Sequence, residues 1–252
     1  MSNKHSLKDK VVLVGGGAKN LGGLISLTLA AEGAKVVVHY NSAATKADAD
    51  STVAEIKKMG GQAVSVQGDF TKVADVVAAF AVGKKEFGGI DIAINTVGKV
   101  LKKPFVETTE ADYDSMAAIN SKAAYFFIQE AGKQLNDGGK ICTIVTSLLA
   151  AYTGLYSTYG GMKAPVEHFT RAASKEFGSR GISVTAVGPG PMDTPFFYGQ
   201  ETPEAVAYHK SASALGGLTK IEDIVPLVKF LVTDGWWVTG QTIFANGGYT
   251  TR

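Results

Sequence analysis

Two titratable residues stand four positions apart in Tyr159-Gly160-Gly161-Met162-Lys163. On a helix that spacing puts an ammonium beside a phenol on one face. A free tyrosine titrates near pH 10, too high for proton traffic at neutral pH. A nearby positive charge favours the phenolate and draws the pKa down. A shift of about 3 units takes roughly 4 kcal/mol. One cation about 4 Å away, at an effective dielectric of about 20, supplies about that much. The pair is therefore expected to form an acid/base that works near pH 7. Chance also places YxxxK in many helices, so the reading depends on what surrounds it.

Such a pair needs a helix to carry it and a sheet to aim that helix. Short apolar, β-branched runs read as strands at residues 10–14, 35–40, 63–67, 90–95, 140–146, 182–187 and 242–245. Helical spacing occupies 21–31, 43–59, 73–87, 111–135 and 221–232, and the run carrying Tyr159 ends as a helix over 166–178. Gly60-Gly61 and Gly88-Gly89 stop two of these helices. Strand and helix alternate at intervals of roughly 25–35 residues, which predicts one α/β domain, a parallel sheet covered by helices on both faces. Pro165 follows Lys163 by two and lacks an N–H, so the helix is expected to start near it or to be distorted there.

Gly15-Gly16-Gly17-Ala18-Lys19-Asn20-Leu21-Gly22 joins the first strand to the first helix. A helix N-terminus at the carboxyl end of a strand favours a phosphate, and glycines let the backbone come close to it. That context marks a dinucleotide loop. Asn20 departs from the three-glycine pattern, but asparagine tolerates the left-handed region well, so the turn is expected to be kept. NAD sites commonly place an acid about 20 residues on, against the ribose 2′-hydroxyl. Here the second strand ends His39-Tyr40-Asn41-Ser42, with no carboxylate before Asp48. Lys19 in the loop, with Asn41 and Ser42, would suit a 2′-phosphate. The expected cofactor is NADP(H), with NAD(H) possible.

Composition narrows the function classes. The chain has 252 residues, 45% of them hydrophobic, and a formal charge of +2. A sizeable core is within reach, and nothing electrostatic favours nucleic acid or an anionic membrane. No apolar run approaches the length of a membrane span, and residues 1–10 are polar, without a signal-peptide core. The lone Cys142 forms no internal disulfide and suggests a reducing, cytoplasmic setting. Placed in a strand-like run, it reads as a small core residue. His5, His39, His168 and His209 do not fall at metal-ligand spacing, so no metal site is expected. Ser147 lies outside any nucleophile-elbow pattern. Trp236-Trp237 reads as core or subunit-contact packing.

Taken in order, these motifs make the whole chain resemble the short-chain dehydrogenases/reductases of the single-domain kind. Residues 15–22 match that family's cofactor loop, and Asp69-Phe70 its adenine contact. Asn95-Thr96-Val97-Gly98 keeps only the first and last residues of its NNAG stretch. Asn120, Ser147, Tyr159 and Lys163 fall where the family carries a catalytic tetrad. Pro189-Gly190-Pro191-Met192-Asp193-Thr194 resembles its nicotinamide-side segment. Thr239-Gly240-Gln241 and Asn246-Gly247-Gly248 resemble its closing strand, with Asn246 where an aspartate is common. Residues 40–42 are similar to those of ketone reductases of the 3-oxoacyl-carrier-protein reductase, glucose dehydrogenase and hydroxynaphthalene reductase type.

The resemblance implies a single-domain, Rossmann-type, doubly wound sheet of seven parallel strands in the order 3-2-1-4-5-6-7, and a homotetramer. It implies hydride transfer between nicotinamide and a ketone, an aldehyde or the matching secondary alcohol. Tyr159 would be the acid/base. Lys163 would lower its pKa and hold the nicotinamide ribose. Ser147 would meet the carbonyl oxygen, and Asn120 would hold a water on a proton path. The cofactor contacts it implies are Gly16, Lys19, Asn20, Leu21, Gly22, Tyr40, Asn41, Ser42, Asp69, Phe70, Asn95, Gly98, Tyr159, Lys163, Pro189, Gly190, Met192 and Thr194. Residues 196–215 would form a mobile lid. Phe196, Phe197, Tyr198 and Tyr208, with Leu148, Leu149 and Tyr152, suggest an apolar or aromatic-tolerant pocket. Two other readings stand beside this one: an NAD-linked alcohol dehydrogenase working oxidatively, and a non-catalytic NADP(H) sensor.

Overall fold

Strand β1 (Val11–Gly15) reads Val-Val-Leu-Val-Gly and is buried at every position. A strand with no solvent face belongs inside a sheet covered on both sides. The computed structural model, which describes residues 5–151 and 153–251, has that sheet. β2 (Lys35–Tyr40) and β3 (Gln62–Gln67) lie on one side of β1. β4 (Ile90–Asn95), β5 (Leu135–Ile144), β6 (Ser183–Pro189) and β7 (Gln241–Ala245) lie on the other. The order is 3-2-1-4-5-6-7 and the pairings are parallel, as the resemblance implies. The winding reverses between β1 and β4, which opens a crevice beyond their carboxyl ends.

The helices follow in chain order: α1 (Asn20–Ala31), α2 (Lys46–Lys58), α3 (Val73–Phe87), α4 (Glu110–Met116), α5 (Ala123–Gln134), α6 (Ser157–Glu176), α7 (Pro195–Tyr198), α8 (Pro203–Ala212) and α9 (Ile221–Val232). The two-residue period of the strands sorts the core into two layers. Val12 and Val14 face one cluster, with Ile25 and Leu29 of α1, Ile56 of α2 and Val228 of α9. Val11 and Leu13 face the other, with Phe80 of α3, Phe127 of α5 and Ala173 of α6. Burying one such large side chain is worth about 1.5–3 kcal/mol, so each layer can hold its helices against the sheet. Among the described residues, no helix is long and apolar enough to cross a membrane.

Three elements differ from the sequence reading. The long helix expected over 111–135 is interrupted: α4 passes into a π-helical turn, Ala117–Lys122, before α5 begins. Leu135, read as its last residue, instead opens β5 and pairs with Ile90. The second difference is at Pro165. α6 starts at Ser157 and runs through the proline to Glu176. Proline inside a helix costs about 3 kcal/mol and frees the carbonyl four residues back. That carbonyl belongs to the exposed Gly161, where water can reach it, while Val166, Thr170 and Ala173 anchor the helix in the core. Third, the expected lid holds two helices, α7 and α8. The signal was present: Thr202 accepts the Ala205 N–H at 3.3 Å, and Pro203 and Glu204 suit a first turn.

Candidate active site

At the reversal of the sheet lies one cavity of about 750 Å³. Its wall begins at the loop after β1, with Gly16, Lys19, Asn20, Leu21 and Gly22. Asn20 has φ 49°, the left-handed conformation expected of it. Gly22 is required by contact, since a Cβ there would lie 2.1 Å from the Gly16 carbonyl oxygen. The first turn of α1 thus rests directly on the loop. First-turn N–H groups have no partner within their own helix and suit an anion. Lys19 Nζ lies 2.8 Å from Asp48 Oδ2. This carboxylate, 29 positions further along the chain, is brought back to the loop by the first turn of α2.

His39 was read only as the end of a strand and as no metal ligand. It is buried, and it fastens the loop. The Gly16 N–H donates to its Nδ1 at 3.0 Å, and its Nε2–H donates to the Gly68 carbonyl at 2.8 Å. Burial lowers its pKa to about 4, so the ring is neutral with its proton on Nε2. Phe70 stacks on the ring with centroids 3.6 Å apart and is buried in the core. Its side chain therefore stands behind His39 and not on the cavity wall, where the adenine-contact expectation would put it. Ser42 also lies off the wall, because it opens the short helical turn Ala43–Thr45. Its carbonyl accepts the Thr45 hydroxyl at 3.1 Å, and Thr45 lines the cavity instead. Tyr40, Asn41 and Asp69 do line it.

The other end of the cavity gathers Ser147, Tyr159 and Lys163. α6 carries Tyr159 and Lys163 on one face, and Ser147 follows β5. Lys163 Nζ donates to the Ile144 carbonyl at 3.0 Å and to the Val97 carbonyl at 3.4 Å. Asn120 is wholly buried in the π turn. Its Nδ2 donates to the Lys99 carbonyl at 2.9 Å and its Oδ1 accepts the Lys99 N–H at 3.1 Å. Asn120 thereby clamps the strand-β4 loop rather than lining the cavity. A Cβ on Gly98 would lie 3.0 Å from both Asn120 Oδ1 and Lys163 Nζ, so glycine lets these groups converge.

The expected acidification of the phenol is overturned. Burial raises Tyr159 to about 12, opposed only in part by a hydrogen bond with the Thr146 hydroxyl. Burial lowers Lys163 to about 8. The reason is geometric. Both side chains are buried, and each carries the cost of leaving water in its charged form.

Pro189, Gly190, Met192 and Thr194 complete the wall beyond β6. The Thr194 hydroxyl is buried without a hydrogen-bond partner among the described residues. Asn95 is off the wall. Its Oδ1 accepts the Val97 N–H at 3.0 Å, while its buried Nδ2 is likewise unpartnered. Phe196, Phe197 and Leu148 line the substrate end, but Leu149, Tyr198 and Tyr208 do not, and Tyr152 lies outside the described residues. The sequence reading missed a polar cluster there. Glu201 has a fully buried side chain, receives hydrogen bonds from the Tyr156 hydroxyl and Lys102 Nζ, and lies 3.6 Å from His209 Nε2. No spacing rule announces it, because its members come from separate loops and the lid.

Comparison with known proteins follows the same lines. A family model described as enoyl-(acyl carrier protein) reductase matches residues 16–250. The chain is similar to the hydroxynaphthalene reductase-like protein Arp2 of Metarhizium brunneum, with 37% identity over 98% of this chain and 97% of that one. It is similar to a Burkholderia cenocepacia protein solved with bound NADP, at 63% identity and a TM-score of 0.97 over 100% of this chain and 97% of that one. A short-chain dehydrogenase of Oenococcus oeni shares 54% identity with a TM-score of 0.79, covering 100% of both chains.

Proposed function

The chain belongs to the short-chain dehydrogenase/reductase family, and from that premise we propose that it is an NADP(H)-dependent carbonyl reductase acting on a ketone or aldehyde. The observation that carries this reading is the convergence of Ser147, Tyr159 and Lys163 on a cavity continuous with the glycine loop. NADP bound to the Burkholderia cenocepacia relative supports the cofactor. So does the donor set. The first turn of α1 suits a pyrophosphate, Lys19 suits a 2′-phosphate, and the unpartnered Thr194 hydroxyl suits a carboxamide.

When bound, NADP(H) supplies the hydride. The protein's own groups manage charge and protons. Ser147 donates a hydrogen bond to the carbonyl oxygen, a contact that strengthens as negative charge develops there. Tyr159 gives its proton to the resulting alkoxide. The Tyr159 phenol, raised to about 12 by burial, carries its proton at neutral pH, and an alkoxide is a strong enough base to take it. Lys163 would hold the nicotinamide ribose, and Asn120 fixes the loop that carries Gly98. The aromatic lid favours an apolar substrate body. We read the molecule as a single-domain homotetramer working in the cytoplasm.

Tyr159→Phe tests the assignment. Turnover of NADPH with a panel of ketones should fall by about a hundredfold or more, with NADPH affinity within about twofold. Full turnover in that variant rejects the role of Tyr159. Tight NADPH binding by the wild type, with no turnover across the panel, would favour the sensor reading.

A further inference from the structure

At the substrate end of the cavity, two tyrosine hydroxyls both turn their protons away from the open space. Glu201, between α7 and α8, has a fully buried side chain. The Lys102 ammonium donates to its Oε2 and the Tyr156 hydroxyl to its Oε1. A carboxylate held by an ammonium only accepts. His209 of α8 brings Nε2 to 3.6 Å from the same Oε1, so the ring carries its proton on that side. Burial holds His209 below its ordinary pKa, and the ring is neutral at pH 7. Nδ1 is then an acceptor, and the Tyr249 hydroxyl donates to it at 3.0 Å. Tyr156 and Tyr249 both line the cavity, and among the described residues no donor reaches either oxygen. A phenol oxygen that has given up its own proton to a partner still accepts one. This end of the cavity therefore offers acceptors. It also adjoins the reacting groups. The Tyr156 and Tyr159 rings have centroids 6.4 Å apart. In the turn after β7, Asn246 donates through Nδ2 to Ser147 Oγ at 2.9 Å, and its carbonyl accepts the Tyr249 N–H at 3.0 Å.

We propose that Tyr156 and Tyr249 form an acceptor subsite that recognises a hydroxyl on the substrate, a few bonds from the reacting carbonyl. Glu201 and His209 are positioning residues that fix its polarity. The inference rests on the carbonyl-reductase reading and names its substrate class, a hydroxyketone. The substrate hydroxyl brings what the cluster lacks, a proton to donate. An ether or a bare C–H in that place leaves buried acceptors unmatched once water is excluded. A hydroxyl suits the subsite better than an ammonium does. Lys102 already balances the charge of Glu201, and an ammonium costs more to take out of water. No covalent bond changes at this subsite.

The probes are 3- and 4-hydroxyacetophenone, each set against its methoxy counterpart and against acetophenone, with NADPH oxidation followed at pH 7. For at least one of the two isomers, kcat/KM should exceed that of both counterparts by about tenfold. Tyr249→Phe should bring that ratio down to about threefold or less. A role in folding alone would lower kcat/KM for every probe and keep the ratio. Glu201→Gln adds an N–H that donates into the cluster and lets a phenol proton turn to the cavity, so its ratio should fall as well. A wild-type ratio near one overturns the proposal, and so does a ratio that survives both substitutions. A ratio lost in Tyr249→Phe but kept in Glu201→Gln overturns the positioning role of Glu201. If neither variant folds, the wild-type ratio decides by itself. The two readings fail differently. Reduction of ketones with no preference for the hydroxyl removes this inference and leaves the carbonyl-reductase reading. Reduction of other ketones but of none of these probes does the same. A wild type that binds NADPH and reduces no ketone removes both.

Discussion

Tyr159 and Lys163 are pushed away from their ordinary pKa values in opposite directions by one cause, the loss of water. Both shifts penalise the charged form, so each leaves a trace in stability. Lys163 titrates at about 8 in the fold and at 10.5 when unfolded. Between those values the unfolded chain holds the extra proton, so this group makes stability rise with pH. Tyr159 acts in the opposite sense above pH 10, where the unfolded chain loses its proton first. Urea denaturation should therefore show a gain between about pH 8 and 10 that is absent in Lys163→Met. His39 behaves similarly in acid. With a folded pKa of about 4 against 6.5, the unfolded chain binds the proton first as pH falls, and stability drops from pH 6.5 towards 4. His39→Gln, which keeps an acceptor and a donor, should lose that acid sensitivity. At the outer end of the cavity, the Lys19–Asp48 pair is exposed enough to contribute no more than about 1 kcal/mol, so a 2′-phosphate can displace Asp48 at little cost. Lys19→Ala should weaken NADPH about tenfold and leave NADH nearly unchanged. Equal losses for the two nucleotides would remove Lys19 from the 2′-phosphate site.

At the scale of elements, the site depends on irregular segments held by regular ones. The π turn between α4 and α5 turns Asn120 inward, where it clamps both backbone groups of Lys99. Such turns are often found at functional sites. The lid is held by charge. Lys102 from the loop after β4 meets Glu201 from the segment between α7 and α8, and Tyr156 at the start of α6 meets the same carboxylate. Without Lys102 the buried carboxylate keeps Tyr156 and His209 beside it but loses a charged donor, so Lys102→Met should destabilise the fold by about 2 kcal/mol. Calorimetry would show the lower Tm. The KM for the carbonyl substrate should rise more than that for NADPH, because the tie joins the lid to the substrate end. A Tm unchanged from wild type would mean that the Lys102–Glu201 pair contributes nothing to stability.

At the scale of the whole molecule, two hydrophobic layers sandwich one sheet, and the cavity lies where the winding changes direction. The outer edge at β7 and the neighbouring α9 leave Phe230 and Trp237 exposed. Exposed aromatics beside an unpaired strand edge are what a second copy would cover. If copies of the chain meet at this face, Phe230→Glu should elute later than wild type on size exclusion and lose part of its thermal stability. An unchanged elution volume would place the contact elsewhere.

The chain itself determined the alternation of strand and helix, hence the layered sheet, because residues of one face recur at short range with the period of the backbone. It also determined the glycine loop, where Asn20 takes up the left-handed turn, and the Tyr159–Lys163 spacing, since a helical turn is a local object. Tertiary structure decided the rest. The direction of the phenol's pKa depends on how much water is left around it. Phe70 and Ser42 moved off the cavity wall because His39 and a short helical turn claimed them. Asp48 came back to Lys19, Glu201 found Lys102, and Asn246 reached Ser147 across about a hundred residues, because folding brings distant loops to the same ends of the strands. No local spacing records such contacts.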